Sequence, residues 1–252
     1  MKIVVLVKHV PDTWGERRLD VVTGRLDRTG SDGVIDEIDE RALEVALAYQ
    51  ESHGADVVAL TVGPASAGAT LRKALASGAD SAIHIQSDVL IGADLVQTAH
   101  AIAAALTTSG FDLVIAGNES TDGRGGVVPA MVAELLGLPH LTFLDSVAIE
   151  PDRVSGDRTA GHSLVSVTST LPAVVSVTEQ AAEPRFATLR GIMKAKKKRI
   201  DALAEADLPG AHSSTSVLSV TVRPPKDAGV TIVDDGTAGE ALAVFLRDRT
   251  LI

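Results

Sequence analysis

The most informative chemical pattern in the sequence is a glycine-rich loop that joins an apolar run, 112–116, to a segment with helical periodicity, 128–136. A glycine-rich turn that leads into a helix N-terminus presents backbone N–H groups and the positive end of the helix dipole to an anion. The side chains of Ser120, Thr121 and Arg124 add hydrogen-bond donors, so the loop predicts a phosphate site. Its residues are Gly117, Asn118, Glu119, Ser120, Thr121, Asp122, Gly123, Arg124, Gly125 and Gly126.

The loop matches neither of two common phosphate-binding motifs. No Lys-Ser or Lys-Thr pair follows the glycines, as a Walker loop requires, and the spacing differs from G-x-G-x-x-G. The alternative interpretation is that the glycines form only a tight turn between a strand and a helix.

Two other segments carry polar or glycine residues at the ends of predicted elements. Asp36 and Asp39 precede a predicted helix, 40–50, where either carboxylate is a suitable N-terminal cap. Gly63-Pro64 ends the apolar run 57–62. Because ligands of open parallel sheets bind outside the carboxyl ends of the strands, these segments predict one crevice. An adenine nucleotide is its expected occupant.

The elements that must position these residues alternate along the first half of the chain. Short β-branched runs without polar alternation are typical of strands that are covered on both faces. Strands that are separated by helices favour right-handed crossovers and a parallel sheet. The sequence thus predicts an α/β, doubly wound, mostly parallel, Rossmann-like fold. The strands are expected at 3–7, 57–62, 82–85 and 112–116, and the helices at 40–50, 67–76, 93–106 and 128–136.

The second half of the chain has a different pattern of predicted elements. Three strand-like runs, 141–149, 163–168 and 173–177, have short connections and predict antiparallel edge strands. Beyond them we expect a strand at 217–222 and a helix at 238–247. The predicted organisation is an α/β nucleotide-binding domain, 1–184, a basic recognition loop and helix start, 185–199, and a C-terminal arm, 200–252, that packs on a partner subunit.

Composition excludes several classes of function. The 252 residues include no cysteine, which excludes disulfides, thiolate-bound iron–sulfur clusters and cysteine nucleophiles. The net charge of −10 argues against nucleic-acid binding, and no apolar run approaches the roughly 20 residues that cross a bilayer. The scattered histidines, aspartates and serines suggest neither a metal site nor catalytic residues. We therefore expect a protein of the cytoplasm, or of a compartment like the mitochondrial matrix, without membrane insertion.

Positive charge is concentrated in one segment, 185–199, which contains no acidic residue. It is open to three interpretations: a solvated helix face, a nucleic-acid patch, or a docking segment for an acidic partner. Apolar Leu189, Ile192 and Met193 lie among the charges and would serve as anchors in the third. The basic residues are Arg185, Arg190, Lys194, Lys196, Lys197, Lys198 and Arg199.

Several stretches resemble the beta, or small, subunits of the electron-transfer flavoprotein family. The resemblance runs in order from residue 1 to about residue 200, and its last stretch is long and specific. The stretches are VKHVPD at 7–12, GP at 63–64 with LRKALASGAD at 71–80, LPAVV at 171–175 and EPRFATLRGIMKAKKK at 183–198.

The resemblance implies a heterodimer with a larger alpha subunit that holds most of a redox-active FAD. The beta subunit covers this FAD and binds a structural AMP. Electrons would come from flavin dehydrogenases, such as acyl-CoA dehydrogenases, and leave to a membrane quinone reductase. The flavin would carry the electrons, so no catalytic residue is expected in this chain.

The resemblance also implies site residues. It places AMP against Leu6, Asp36, Glu37, Ile38, Asp39, Val62 and the residues 117–128, which are the glycine-rich loop with Val127 and Val128 after it. It places Arg158 close to the flavin. It makes Leu189 the anchor of a recognition loop that consists of Arg185, Phe186, Ala187, Thr188, Leu189, Arg190, Gly191, Ile192, Met193 and Lys194.

The sequence departs from the family pattern at two places in the expected AMP site. Asp36-Glu37-Ile38 replaces Asn-Pro-Phe, and the loop lacks the usual Gln-Thr-Gly. The Asp122-Gly123 pair also occurs in bifurcating relatives, which hold a second FAD where AMP would bind. We expect AMP, with a second FAD as the alternative. A free-standing adenine-nucleotide-binding module or hydrolase is a further alternative.

Overall fold

The computed structural model describes residues 1–28, 30–203, 213–226, 228–229 and 231–252. At its centre is a seven-stranded sheet in which every pair of neighbouring strands is parallel. In spatial order its strands are β12 (Ile200–Leu203), β5 (Ser81–Ile85), β4 (Asp56–Val62), β1 (Lys2–Leu6), β6 (Leu113–Gly117), β11 (Ala173–Val177) and β7 (His140–Leu144).

Helices cover both faces of this sheet. Side chains of β1 alternate between the two faces, so Ile3 and Val5 join one buried cluster and Val4 and Leu6 join the other. The first cluster contains side chains of α1 (Glu37–His53) and α2 (Gly68–Ser77), and the second those of α3 (Leu95–Ser109) and α4 (Val128–Leu136). The predicted doubly wound α/β fold is confirmed.

The antiparallel strands lie elsewhere than expected. They form a separate three-stranded sheet of β8 (Ser146–Ile149), β9 (Arg153–Ala160) and β10 (Ser163–Thr170), and do not extend the central sheet. The start of the run 141–149, also expected to be antiparallel, lies in β7, a parallel edge strand of the central sheet. The run 173–177, expected among the antiparallel strands as well, is the parallel strand β11 inside the central sheet. Its five residues are all buried, as in a strand covered on both faces, whereas exposed and part-buried residues alternate along β10. The short connections had suggested antiparallel pairing throughout.

β2 (His9–Pro11) follows β1 in the chain and pairs with β3 (Gly33–Ile35) in a two-stranded antiparallel sheet. This small sheet was not predicted. The connection between these strands is long, and its residues 12–28 are called the excursion below. The helix α5 (Leu189–Ala195) follows in the basic segment.

The chain divides into two compact units, Met1–Ser219 and Val220–Ile252. Residues 200–203, at the start of the expected arm, form the edge strand β12 of the first unit. The strand expected at 217–222 is absent, since these described residues have no regular secondary structure. The second unit contains α6 (Ala238–Asp248), which confirms the predicted helix. Among the described residues, no helix is both long enough and apolar enough to span a membrane.

Candidate functional site

A cavity of about 580 Å³ lies at the carboxyl ends of β1, β4 and β6. β1 pairs with β4 on one side and with β6 on the other, so this is the point where the strand order reverses and where ligands of such sheets bind. The volume lies within the roughly 300–1,000 Å³ of typical small-molecule sites. The residues that follow all three strands meet here, as the sequence suggested.

The structure brings many of the expected site residues to this cavity, but not all. Those that line it are Leu6, Asp39, Val62, Gly117, Asn118, Glu119, Ser120, Gly123, Gly125, Gly126 and Val128. Those outside its lining are Asp36, Glu37, Ile38, Thr121, Asp122, Arg124, Val127 and Arg158. Among the latter, Asp36 and Asp122 form hydrogen bonds and ion pairs that hold the glycine-rich loop in place.

Asp36 is the N-terminal cap of α1 and also holds the glycine-rich loop. One carboxylate oxygen accepts from the backbone N–H of Ile38 at 3.0 Å, which is the expected capping bond. The other accepts from the backbone N–H of Thr121 at 2.6 Å and from its hydroxyl at 2.7 Å. The carboxylate is fully buried, so these bonds fix the loop to the start of the helix.

Asp39 joins the ends of two strands of the central sheet. Its oxygens accept from the backbone N–H of Lys8 at 2.8 Å, beyond β1, and from that of Gly117 at 3.0 Å, at the end of β6. A Cβ on Gly117 would lie 2.6 Å from an Asp39 oxygen, so only glycine permits this contact. Burial, together with the nearby charge of Asp36, raises the pKa of Asp39 to about 8.

Asp122 is a carboxylate shared by two cations. It accepts from Lys8 Nζ at 2.7 Å and from Arg28 of the excursion at 2.8 Å, with 1% of its side chain exposed. Burial would raise the pKa of Asp122, but the charges and hydrogen bonds of Lys8, Ser120 and Arg28 hold it well below its usual range. The cluster of Lys8, Asp122 and Arg28 therefore carries a net positive charge.

Sequence reasoning missed this cluster and the excursion beside it. Lys8 and Arg28 lie 114 and 94 residues from Asp122 in sequence, so no local spacing pairs them. Arg17 of the excursion donates to the hydroxyl of Thr121 at 3.0 Å and to the carbonyl of Pro11 at 2.9 Å. The excursion is thus fastened to the glycine-rich loop, and it supplies Arg25, Leu26 and Arg28 to the lining of the cavity.

Two features of the cavity suit a nucleotide. The buried side-chain oxygen of Asn118 accepts no hydrogen bond from any described residue, so it requires a donor such as the amino group of a base. The N-terminus of α4 has no side-chain cap within the described chain, and Val128 and Pro129 bring its first turn to the cavity. The unbonded N–H groups of a helix N-terminus suit a phosphate.

Arg158 lies apart from the cavity, on β9. Its side chain is part-buried and donates to the carbonyl of Thr142 at 3.3 Å. The neighbouring residue Phe143 has a φ of +59°, a conformation that bulky side chains rarely adopt, and 41% of it is exposed. The structure thus places a part-buried cation on β9 and an exposed aromatic residue, Phe143, on β7 of the first unit.

The recognition segment, 185–194, is fixed at its first end to α1. Arg185 donates through Nε and Nη2 to the two oxygens of Glu44, at 2.7 and 2.8 Å, and also pairs with Glu51. These hydrogen bonds and charges raise the pKa of Arg185 above its usual range. Arg185 is therefore occupied within the chain and does not belong to the exposed basic surface.

The second end of the basic segment is fixed to α2. Lys198 Nζ donates to the carbonyls of Leu75 and Ala79, at 3.1 and 2.6 Å, near the C-terminus of that helix. Arg72 donates to the carbonyl of Ala195 at 2.6 Å. Between the two ends, the chain exposes four large apolar side chains: Phe186 (97%), Leu189 (83%), Met193 (71%) and Ile192 (44%). The exposed cations around them are Arg190, Lys194, Lys196 and Lys197.

The fold and the cavity define a doubly wound α/β protein with a ligand-sized crevice at its switch point. The family model of the electron transfer flavoprotein domain matches residues 23–208. The chain is 46% identical over 263 residues to the electron transfer flavoprotein subunit beta of Mycobacterium tuberculosis (strain CDC 1551 / Oshkosh), and the match covers 99% of each chain. It is 33% identical over 234 residues to that of Bacillus subtilis (strain 168), covering 91% of this chain and 90% of the relative. The chain therefore belongs to the electron transfer flavoprotein family, among its beta subunits.

The raised pKa of Asp39 predicts a pH dependence of stability. The folded protein keeps a proton up to about pH 8 that the unfolded chain loses near its ordinary value of 3.8, so stability falls as pH rises between these values. We expect Asp39→Asn to reduce the fall in melting temperature between pH 6 and pH 9 by several degrees, since about 1 kcal/mol moves the melting temperature by about 2–4 °C in a chain of this size. Differential scanning calorimetry measures this.

The matched control is Glu37→Gln, an exposed carboxylate in the first turn of the same helix. It should leave the fall in melting temperature as in the wild type. If the melting temperature of Asp39→Asn fell between pH 6 and pH 9 as much as that of the wild type, another group would be the cause of the pH dependence.

Proposed function

We propose that this chain is the beta half of an electron-transferring heterodimer, in which the alpha subunit holds most of an FAD and the crevice of this chain binds AMP. Membership of the beta-subunit family implies electron transfer as part of a heterodimer. The observation that carries the nucleotide proposal is the cavity at the switch point, which is lined both by Asn118, whose buried side-chain oxygen has no partner among the described residues, and by the uncapped start of α4. This chain acts as a carrier subunit without catalytic residues of its own.

The residues of the cavity have separable tasks in this proposal. Asp36 and Asp39 set the position of the glycine-rich loop, as described above. The loop and the start of α4 supply N–H donors for a phosphate, while Asn118 supplies an acceptor for the base. Leu6 and Val62 supply apolar surface at the ends of β1 and β4. An AMP bound in this way would tie together three strand ends, which is a structural role.

FAD supplies the redox chemistry of the heterodimer, since it takes up and releases the electrons. The contribution of this chain is to cover the flavin, exclude water and place the charge of Arg158 near it. The part-buried position of the guanidinium supports this role, because a cation that is partly shielded from solvent acts more strongly on a nearby redox group.

The recognition segment is the proposed contact with the electron donors. Its fixed ends and exposed Phe186, Leu189 and Met193 form an apolar surface with a basic rim, which suits an apolar pocket with an acidic rim on a flavin dehydrogenase. Acyl-CoA dehydrogenases of fatty acid β-oxidation are the proposed donors, and a membrane quinone reductase is the proposed acceptor. We place this exchange in the cytoplasm, since the relatives described above are bacterial. The arm beyond residue 219 is proposed to pack on the alpha subunit.

Coexpression with the alpha subunit tests the composition of the complex. We expect a yellow heterodimer, and we expect acid extraction to release one FAD and one AMP per heterodimer, as quantified by chromatography and mass spectrometry. Two FAD and no AMP would replace the AMP proposal with that of a second FAD. A stable chain that hydrolyses ATP without a partner would contradict the heterodimer proposal.

Removing the charge of Arg158 should lower the reduction potential of the flavin in the heterodimer. A nearby cation favours the reduced, anionic flavin, so Arg158→Ala should shift the potential downward by on the order of tens of millivolts, equivalent to an interaction of about 1 kcal/mol. A spectroelectrochemical titration measures the shift. Arg153→Ala is the control, since Arg153 lies on the same strand but pairs with Glu150 and Asp152. If Arg158→Ala and Arg153→Ala gave the same flavin reduction potential, Arg158 would not be part of the flavin site.

Truncating Leu189 should impair docking but not cofactor binding. We expect Leu189→Ala to keep its full FAD content and to lower kcat/KM for reduction by the partner dehydrogenase about tenfold, as for loss of an interface anchor worth about 1.4 kcal/mol. Stopped-flow reduction measures the rate. The control is Leu164→Ala, an exposed leucine on β10. An unchanged rate with Leu189→Ala would refute the anchor role.

A further inference from the structure

The excursion brings three arginines to the region of the cavity, and two of them are occupied within the chain. Arg17 donates to Thr121 and Pro11, and Arg28 pairs with Asp122 and donates to the carbonyl of His9 at 3.1 Å. Arg25 lines the cavity as well, but its guanidinium forms no ion pair or hydrogen bond with any residue that the structure describes. It is the cation of the excursion that remains available to a ligand.

The position of Arg25 depends on a glycine that also lines the cavity. Its guanidinium lies across Gly92, in the loop between β5 and α3, where a Cβ would be 2.5 Å from Nε and 2.7 Å from Cζ and Nη2. Gly92 has a φ of +80°, which also favours glycine. Both Gly92 and its neighbour Ile91 line the cavity. Because Gly92 has no side chain, the guanidinium of Arg25 can lie directly against it at the cavity wall.

The charges around the cavity favour an anion beside Arg25. The cluster of Lys8, Asp122 and Arg28 carries a net positive charge on one wall, and Arg25 adds a second positive charge against the loop that contains Gly92. Two carboxyl groups also line the cavity, those of Asp39 and Glu119, and Asp39 is protonated below about pH 8. The planar fork of a guanidinium matches the oxygens of a phosphate better than it matches any group of a neutral nucleoside.

We propose that Arg25 contacts the phosphate of the bound nucleotide and is the residue through which the crevice selects a nucleotide over the corresponding nucleoside. The glycine-rich loop and the start of α4 then bind the same phosphate from the other wall. This inference rests on the proposed nucleotide function of the crevice.

The test compares AMP and adenosine as probes. Isothermal titration calorimetry is carried out on the heterodimer after its nucleotide has been removed under mild denaturation and the protein refolded. We expect Arg25→Ala to weaken AMP binding about tenfold or more, as for loss of a hydrogen-bonded charge, and to leave adenosine binding within about twofold. Arg25→Gln, which keeps the length of the side chain but removes the charge, should weaken AMP similarly. The affinity of the wild type for AMP should also depend more steeply on salt than that of either variant.

Arg18→Ala is the matched control. Arg18 lies on the same excursion, with 72% of its side chain exposed, and it pairs with Glu16 and not with the cavity. This variant should bind AMP and adenosine as the wild type does.

The outcomes separate the inference from the function on which it rests. A wild-type heterodimer that binds neither probe would overturn the nucleotide function of the crevice. Wild-type binding of AMP that Arg25→Ala and Arg25→Gln leave unchanged would overturn the role of Arg25 alone. Equal weakening of AMP and adenosine would also overturn it, because it would place Arg25 against the base or ribose, or in support of the excursion.

Discussion

Two buried carboxyl groups at the start of α1 determine the geometry on which the rest of the site depends. Asp39 bonds the backbone beyond β1 to the end of β6, and Asp36 bonds the glycine-rich loop to the helix. A buried donor that loses its acceptor costs about 1–3 kcal/mol, so the backbone at these strand ends has one strongly preferred arrangement. This arrangement fixes the loop, which lines the cavity together with the ends of β1 and β4. The cluster around Asp122 then attaches the excursion to the same loop.

The helix α1 connects this cavity with the recognition segment. Asp36 caps its N-terminus and Asp39 lies in its first turn, while Glu44 and Glu51, further along, hold Arg185. One rigid helix therefore positions both the nucleotide site and the first end of the docking segment. The positive charge that the sequence concentrates between residues 185 and 199 is also divided in two by the structure. Arg185 and Lys198 fix the segment to α1 and α2, and Arg199 pairs with Asp201. The other cations of the segment are exposed, as are its large apolar side chains.

Hydrophobic pattern and glycine placement predicted much of this molecule, because both are local properties of the chain. They located β1, β4, β5 and β6, the helices between them, and the three segments that meet at the cavity. The position of β11 could not be found in this way, since strand order depends on contacts between distant segments and not on the length of a connection. The pairing of Lys8 and Arg28 with Asp122 and the position of Arg25 were missed for the same reason. Burial of Asp39 likewise depends on the assembled sheet, so its raised pKa has no signal in the sequence.

The most direct measurement is the experimental density in the cavity of the heterodimer with its alpha subunit, determined by crystallography or electron cryomicroscopy. The expected result is a nucleotide at the carboxyl ends of β1, β4 and β6, with its phosphate between the glycine-rich loop and Arg25 and its base within hydrogen-bond distance of the Asn118 side chain. A cavity closed by protein side chains, or a nucleotide bound only in the alpha subunit, would contradict it.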